Sequence, residues 1–135
     1  MNSASLRPDL DILDDIQALV NQYPPMRHER HFVEFKVDGA RVIVTGNLRS
    51  GITARLLRQA LMTVPGIHEI DASALFDDDT IRLSVGQLVP PGVFVNLSNG
   101  AVALTGKMPA DLTDAQLVER VTAIPGVTRV VTALE

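Results

Sequence analysis

Four arginines, Arg41, Arg49, Arg55 and Arg58, crowd one stretch of a chain whose net charge is −4. The stretch 27–58 holds seven Arg or Lys against three acids. Such a cluster could face a polyanion, and each basic group near an anionic bilayer is worth about 1 kcal/mol. A lipid headgroup surface is favoured over nucleic acid, because the chain is acidic overall, aromatic residues are only 4%, and no base-stacking motif is present. The plainer reading is a solvated helix face and its loops.

Other candidate chemistry is thinner. His28 and His31 stand three apart, a spacing that could share a metal on a helix. They follow Pro24-Pro25 and lead into an extended segment, where residues i and i+3 face opposite sides, so a solvated polar linker is the better reading. His68 follows a Pro-Gly turn and is expected at the surface. The acidic pair Asp14-Asp15 and the run Asp77-Asp78-Asp79 are each expected immediately before or at the opening of a helix, where capping and the helix dipole account for them, and the spaced ligands of a calcium loop are absent. The chain has no cysteine, hence no thiolate nucleophile and no disulfide, and no G-x-S-x-G elbow. These residues predict no enzyme, no metal site and no cofactor.

The N-terminus lacks a basic region followed by an apolar run, so it does not read as a secretory signal, and the expected location is cytoplasmic, at most peripheral to the inner membrane. Apolar stretches are far shorter than the ~20 residues a spanning helix needs. The sequon Asn96-Leu97-Ser98 falls in a strand pattern and reads as a chance match. Composition is that of an ordinary globular chain, 46% apolar and 21% charged, long enough for one domain or two small ones.

The elements that must position these residues come from a duplication. Residues 33–75 and 93–135 align without a gap at a constant offset of 60, with eight of 43 positions identical. The identities include Val42/Val102, Thr45-Gly46/Thr105-Gly106, Leu57/Leu117 and Pro65-Gly66/Pro125-Gly126. Aliphatic residues exchange for one another at many of the remaining sites, whereas charged positions differ. Val33, Phe35 and Val37 alternate like a half-buried strand, Asp38-Gly39 signals a turn, and Val42 and Val44 resume the alternation up to Thr45-Gly46. Val93, Val95, Leu97, the turn Asn99-Gly100, Val102 and Leu104 repeat it.

A helix follows each hairpin, with Ile52, Leu56, Leu57, Ala60, Leu61 and Val64 forming the first apolar stripe and Leu112, Ala115, Leu117, Val121 and Ile124 the second. Pro-Gly ends each helix. A third strand follows, with Ile70, Ala72 and Ala74 matching Val130, Thr132 and Leu134 at alternate positions, and it should run parallel to the second strand through a right-handed crossover. A helix precedes each hairpin: the stripe Ile12, Ile16, Leu19, Val20, Tyr23, stopped by Pro24-Pro25, and a counterpart over residues 80–89, where Ile81, Leu83 and Val85 also alternate like a strand. The predicted fold class is α+β, two tandem α-β-β-α-β repeats over residues 9–76 and 77–135, each a small three-stranded mixed sheet with two helices on one face.

An ordered set of alternating strand, short turn, Val-x-Val/Leu-Thr-Gly, amphipathic helix, Pro-Gly-Ile/Val and closing strand resembles the BON domain. The matching segments are residues 40–46 with 64–70, and 101–106 with 124–130. The resemblance implies a non-enzymatic binding module, associated with phospholipid, osmotic-shock proteins or cell-envelope partners, and no shared catalytic residues. Its alternative is a cytosolic module for protein–protein interaction or oligomerisation.

The copies differ on their surfaces. Arg41, Arg49, Arg55 and Arg58 correspond to Ala101, Pro109, Ala115 and Val118, so any anion-binding role belongs to the first copy. The second copy offers Phe94, Val118 and Val131 outside its inward sets, candidates for an interface with the first copy or with another subunit.

Overall fold

A computed structural model describes residues 7–135; residues 1–6, which opened the segment read above as lacking a signal pattern, lie outside the described residues. The chain runs α1 (Asp9–Gln22), β1 (Val33–Asp38), β2 (Arg41–Leu48), α2 (Gly51–Leu61) and β3 (Glu69–Asp77). It continues with α3 (Asp78–Gly86), β4 (Val93–Ser98), β5 (Ala101–Gly106), α4 (Asp114–Thr122) and β6 (Arg129–Leu134). It is the predicted α+β duplication, with sheets ordered β1-β2-β3 and β4-β5-β6. In each sheet the hairpin is antiparallel and the crossover pair parallel.

Each sheet buries one face under its two helices. Ile12, Ile16 and Val20 of α1 and Ala54, Leu57 and Leu61 of α2 meet Val42, Val44 and Leu48 of β2 in the first core. Ile81 and Val85 of α3 and Leu117 and Val121 of α4 meet Val102 and Leu104 of β5 in the second. The segment that alternates like a strand around Leu83 is therefore helical: Asp77 caps it by accepting the Thr80 N–H, and Gly86, which weakens a helix interior, is its last residue.

Four local expectations are corrected. Ile52, placed in the apolar stripe, is 60% exposed, because Ser50 caps α2 one residue before Gly51 and the resulting phase turns Ala54, Leu57 and Leu61 inward. In the second copy the capping box of Thr113 and Gln116 starts α4 later, leaving Leu112 ahead of the helix and Ala115 exposed. A bulge in β3 is the third: β2 pairs Ile43 with Asp71 but Thr45 with Ala74, so one extra residue reverses the alternation. Ala74 then faces outward and Leu75 enters the core. The fourth is the first hairpin turn, which lies at Gly39 and Ala40, both with positive φ, in register with Asn99 and Gly100 of the second.

The repeated glycines serve close approach more than termination. β2 runs on through Gly46 to Leu48, and a side chain on Gly46 or Gly106 would collide with the backbone carbonyl of Phe32 or Gly92. The hairpin turns also receive the segment after each Pro-Gly: the Ala40 carbonyl accepts the His68 N–H and the Gly100 carbonyl accepts the Thr128 N–H, both at 2.9 Å.

Candidate binding surfaces

Four surfaces follow from this layout: the open faces of the two sheets, the joint between the repeats, and a cleft beside that joint.

On the first sheet, Glu34, Lys36 and Asp38 of β1 lie beside Thr45, Ile43 and Arg41 of β2, with Glu69 and Asp71 next in β3. Arg41 donates from Nε to Glu69 at 2.8 Å and from Nη2 to Asp71 at 2.7 Å. Asp71 also accepts the Ser73 hydroxyl at 2.7 Å and the Ser73 N–H at 3.0 Å, which closes the bulge. The Ser73 hydroxyl, then its N–H, and then the Arg41 charge hold the Asp71 carboxyl below the usual carboxylate range. Arg41 is thus tied into an exposed charge network within its own sheet.

The open face of the second sheet carries Arg129 at one corner and is otherwise uncharged across its three rows. Its rows are Phe94–Thr105–Ala133, Asn96–Ala103–Val131 and Ser98–Ala101–Arg129. Phe94 is 67% exposed and Val131 51% exposed, where the first sheet carries Glu34 and Asp71. Val118 is half-buried on α4, away from this face. Phe94 and Val131 therefore stay largely exposed with both repeats in place.

The joint is polar and brings together the aspartate run, the Asn99-Gly100 turn, and Glu29 and Asn47, which carried no motif. Asp77 ends β3 and caps α3, so no linker separates the repeats. Asp78, 1% exposed, accepts the backbone N–H groups of Asn99 at 2.8 Å and Gly100 at 2.9 Å. Asp79 reaches the Gly51 N–H at the start of α2 at 3.0 Å. The three aspartates thus share one sequence run but serve three partners. The Asn99 amide donates to the Asn47 carbonyl at 2.9 Å and to Glu29 at 3.2 Å, while Glu29 also accepts the Arg49 N–H at 2.8 Å. Asn47 returns a bond to the Gly126 carbonyl. Phe76 packs on the second core, and a side chain at Gly126 would strike it.

The segment read as a solvated linker is accordingly a pair of short 3-10 turns with Met26 and Glu29 buried. Its histidines, with Arg27 and Arg30, are exposed as expected. The one sequence signal for Glu29 is that residues 26–31, between the proline pair and the first hairpin, have no counterpart in the second copy.

Beside the joint, a cleft of about 520 Å³ opens between α2, α3 and the turn before β6. Leu75, Phe76, Ile81 and Ile124 supply its apolar lining, and Arg55 and Arg58 stand on its α2 side. Among the described residues, neither arginine has a carboxylate within 4 Å, and the same holds for the exposed Arg49 side chain. Of the four predicted arginines, then, Arg55 and Arg58 share one site, and Arg41 is engaged elsewhere. Among the described residues no cluster of three or more His, Asp or Glu is placed to hold a metal ion, and no helix is long and apolar enough to cross a membrane.

No protein-family model and no curated protein sequence matches the chain. Its architecture is similar to that of solved structures. The C-terminal domain of CdsD, described as the structural protein of the type III secretion system of Chlamydia trachomatis, superposes with a TM-score of 0.73 at 14% identity over 95% of this chain. A second CdsD structure superposes at 0.71 with 16% identity, again over 95%. The chain spans 66% and 63% of the length of those two structures. At this identity the likeness is one of fold: the tandem α-β-β-α-β arrangement is shared with domains of a secretion-system structural protein.

Proposed function

We propose that the chain is a non-enzymatic tandem BON-like module whose work is protein assembly, and that the open face of its second sheet binds a second copy of the chain. The observation that carries this reading is the contrast between the two sheet faces. Phe94 and Val131 stand exposed on a face whose one charge among its three rows is Arg129, at positions where the first sheet has the carboxylates of Glu34 and Asp71. Burying one large apolar side chain contributes about 1.5–3 kcal/mol, and clustered exposed apolar side chains mark interaction surfaces. Fold likeness to a structural protein of a secretion apparatus supports assembly over catalysis.

Sedimentation velocity on the full chain, up to hundreds of micromolar, tests the reading. Self-association that disappears in the Phe94→Glu, Val131→Asp double variant, which restores the residues of the first sheet, supports it. A wild-type protein that stays monomeric throughout this range counts against it.

A second reading is association with anionic phospholipid at a membrane surface, with Arg41, Arg49, Arg55 and Arg58 as contacts. It is favoured by the absence, among the described residues, of carboxylate partners for the last three. Flotation with phosphatidylglycerol vesicles at low salt, lost on changing Arg49, Arg55 and Arg58 to Glu, would support it, and no flotation would remove it.

A further inference from the structure

We propose that the furrow along α2 binds an extended acidic peptide from a protein partner, with its carboxylates on Arg55 and Arg58 and its apolar side chains in the hollows on either side. This site is separate from the open sheet face and does not depend on it.

Three observations converge. Arg55 and Arg58 are one helical turn apart on the exposed side of α2, so their guanidinium groups serve one ligand, and no carboxylate of the described residues neutralises them in a chain where acids outnumber bases sixteen to twelve. The Asp77 carboxylate at the cleft wall is already occupied by the Thr80 N–H and hydroxyl, and Asp79 is held by Gly51 and Arg82. The surface is also concave and amphipathic. Arg58 lines both the 520 Å³ cleft and a second hollow of about 460 Å³, where Met62, Ile70 and Ala72 lie exposed or half-buried. Two apolar hollows flanking a pair of cations match alternating apolar and acidic side chains better than they match a flat bilayer or a small isolated anion.

The third observation is the contrast with the duplicate. In α4 the equivalents of Arg55 and Arg58 are Ala115 and Val118, although the core residue Leu57 is retained as Leu117. The cleft itself requires both repeats, since α2 and β3 supply one wall and α3 with Ile124 and Pro125 supply the other. The arginines therefore occur on the one helix of the pair that borders the inter-repeat cleft.

The test is a 15N–1H titration of the full chain with a capped hexapeptide of alternating Leu and Glu, its Leu–Gln counterpart, inorganic phosphate, and phosphatidylglycerol vesicles. Saturable millimolar shifts at the amides of Phe76, Thr80 and Ser84 with the Leu–Glu peptide alone are expected. Binding should weaken at least tenfold in the Arg55→Ala, Arg58→Ala variant and be lost in Ser84→Phe, which fills the cleft while leaving both charges, with amide dispersion confirming that each variant is folded. The proposal is overturned by no shifts with the Leu–Glu peptide, by equal shifts with Leu–Gln, by phosphate reproducing the response, or by vesicle binding without peptide binding.

Discussion

Replacing Asp78 with Ala should destabilise the protein far more than replacing Asp9, although the two residues hold the same place in the duplication. Each is the first residue of the helix before a hairpin, and each accepts an N–H from that hairpin's turn: Asp9 from Gly39 at 3.2 Å, Asp78 from both Asn99 and Gly100. The difference is solvent. Asp9 and Gly39 are exposed, so water replaces the lost bond and the cost stays under about 1 kcal/mol.

Asp78, Asn99 and Gly100 are buried, so Asp78→Ala strands two backbone donors at about 1–3 kcal/mol each, about 2–6 kcal/mol together. Loss of a negative charge at a helix start, about 0.3–1 kcal/mol, is common to both variants and cancels. The expected difference is therefore about 2–5 kcal/mol. Urea titrations followed by circular dichroism would read this as a midpoint lower by roughly 1–2.5 M for Asp78→Ala than for Asp9→Ala, given a slope of about 2 kcal/mol per molar. Asp78→Asn, which keeps one acceptor, should fall between them. Agreement of Asp78→Ala with Asp9→Ala within 1 kcal/mol would refute the reasoning, since it would mean the two turn amides find other partners.

Further outcomes follow from the turns and the bulge. Ala40→Gly should stabilise by about 0.5–1 kcal/mol, a rise of about 2–4 °C in Tm, because Ala40 sits at φ +71. The reverse change at the equivalent site, Gly100→Ala, should cost more than about 2 kcal/mol, because φ is +83 and the new methyl would meet Asn47 and the Gly126 carbonyl. Ser73→Ala should raise the Asp71 pKa toward the ordinary carboxylate value, measurable by NMR titration of its side-chain carboxyl carbon. Because the folded pKa is depressed, Asp71 contributes stability above its unfolded pKa near ~3.9 and loses it as pH falls through the folded value; Ser73→Ala narrows that acid window.

The duplicated core was legible because its signals are local and occur twice: alternation around Val33 and Val93, helical spacing around Leu57 and Leu117, and Pro-Gly after each helix. What escaped depends on distant partners or on a single inserted residue. The bulge after Asp71 exchanges Ala74 for Leu75 in the core, and nothing within the strand itself announces it. Glu29 looks like one more charge in a polar insertion until Asn99, seventy residues away, is brought beside it. Arg41 could have been paired from strand register alone, since Arg41 lies opposite Glu69 in the parallel ladder. The cleft arginines were visible as charge, but their common hollow exists only once α3 and Ile124 are in place.

The joint between the repeats also has a symmetry. One copy contributes Glu29, Asn47 and Gly51, and the other contributes Asp79, Asn99 and Gly126, which are not equivalent positions, so the contact is head-to-tail. At the free end the equivalent of Asn47 is Lys107 and that of Gly51 is Asp111, while at the other end Asn99 and Gly100 become Gly39 and Ala40, and Glu29 has no second copy. The side-chain bonds of Glu29, Asn47 and Asn99 therefore have no equivalent at the outer ends of this pair of repeats.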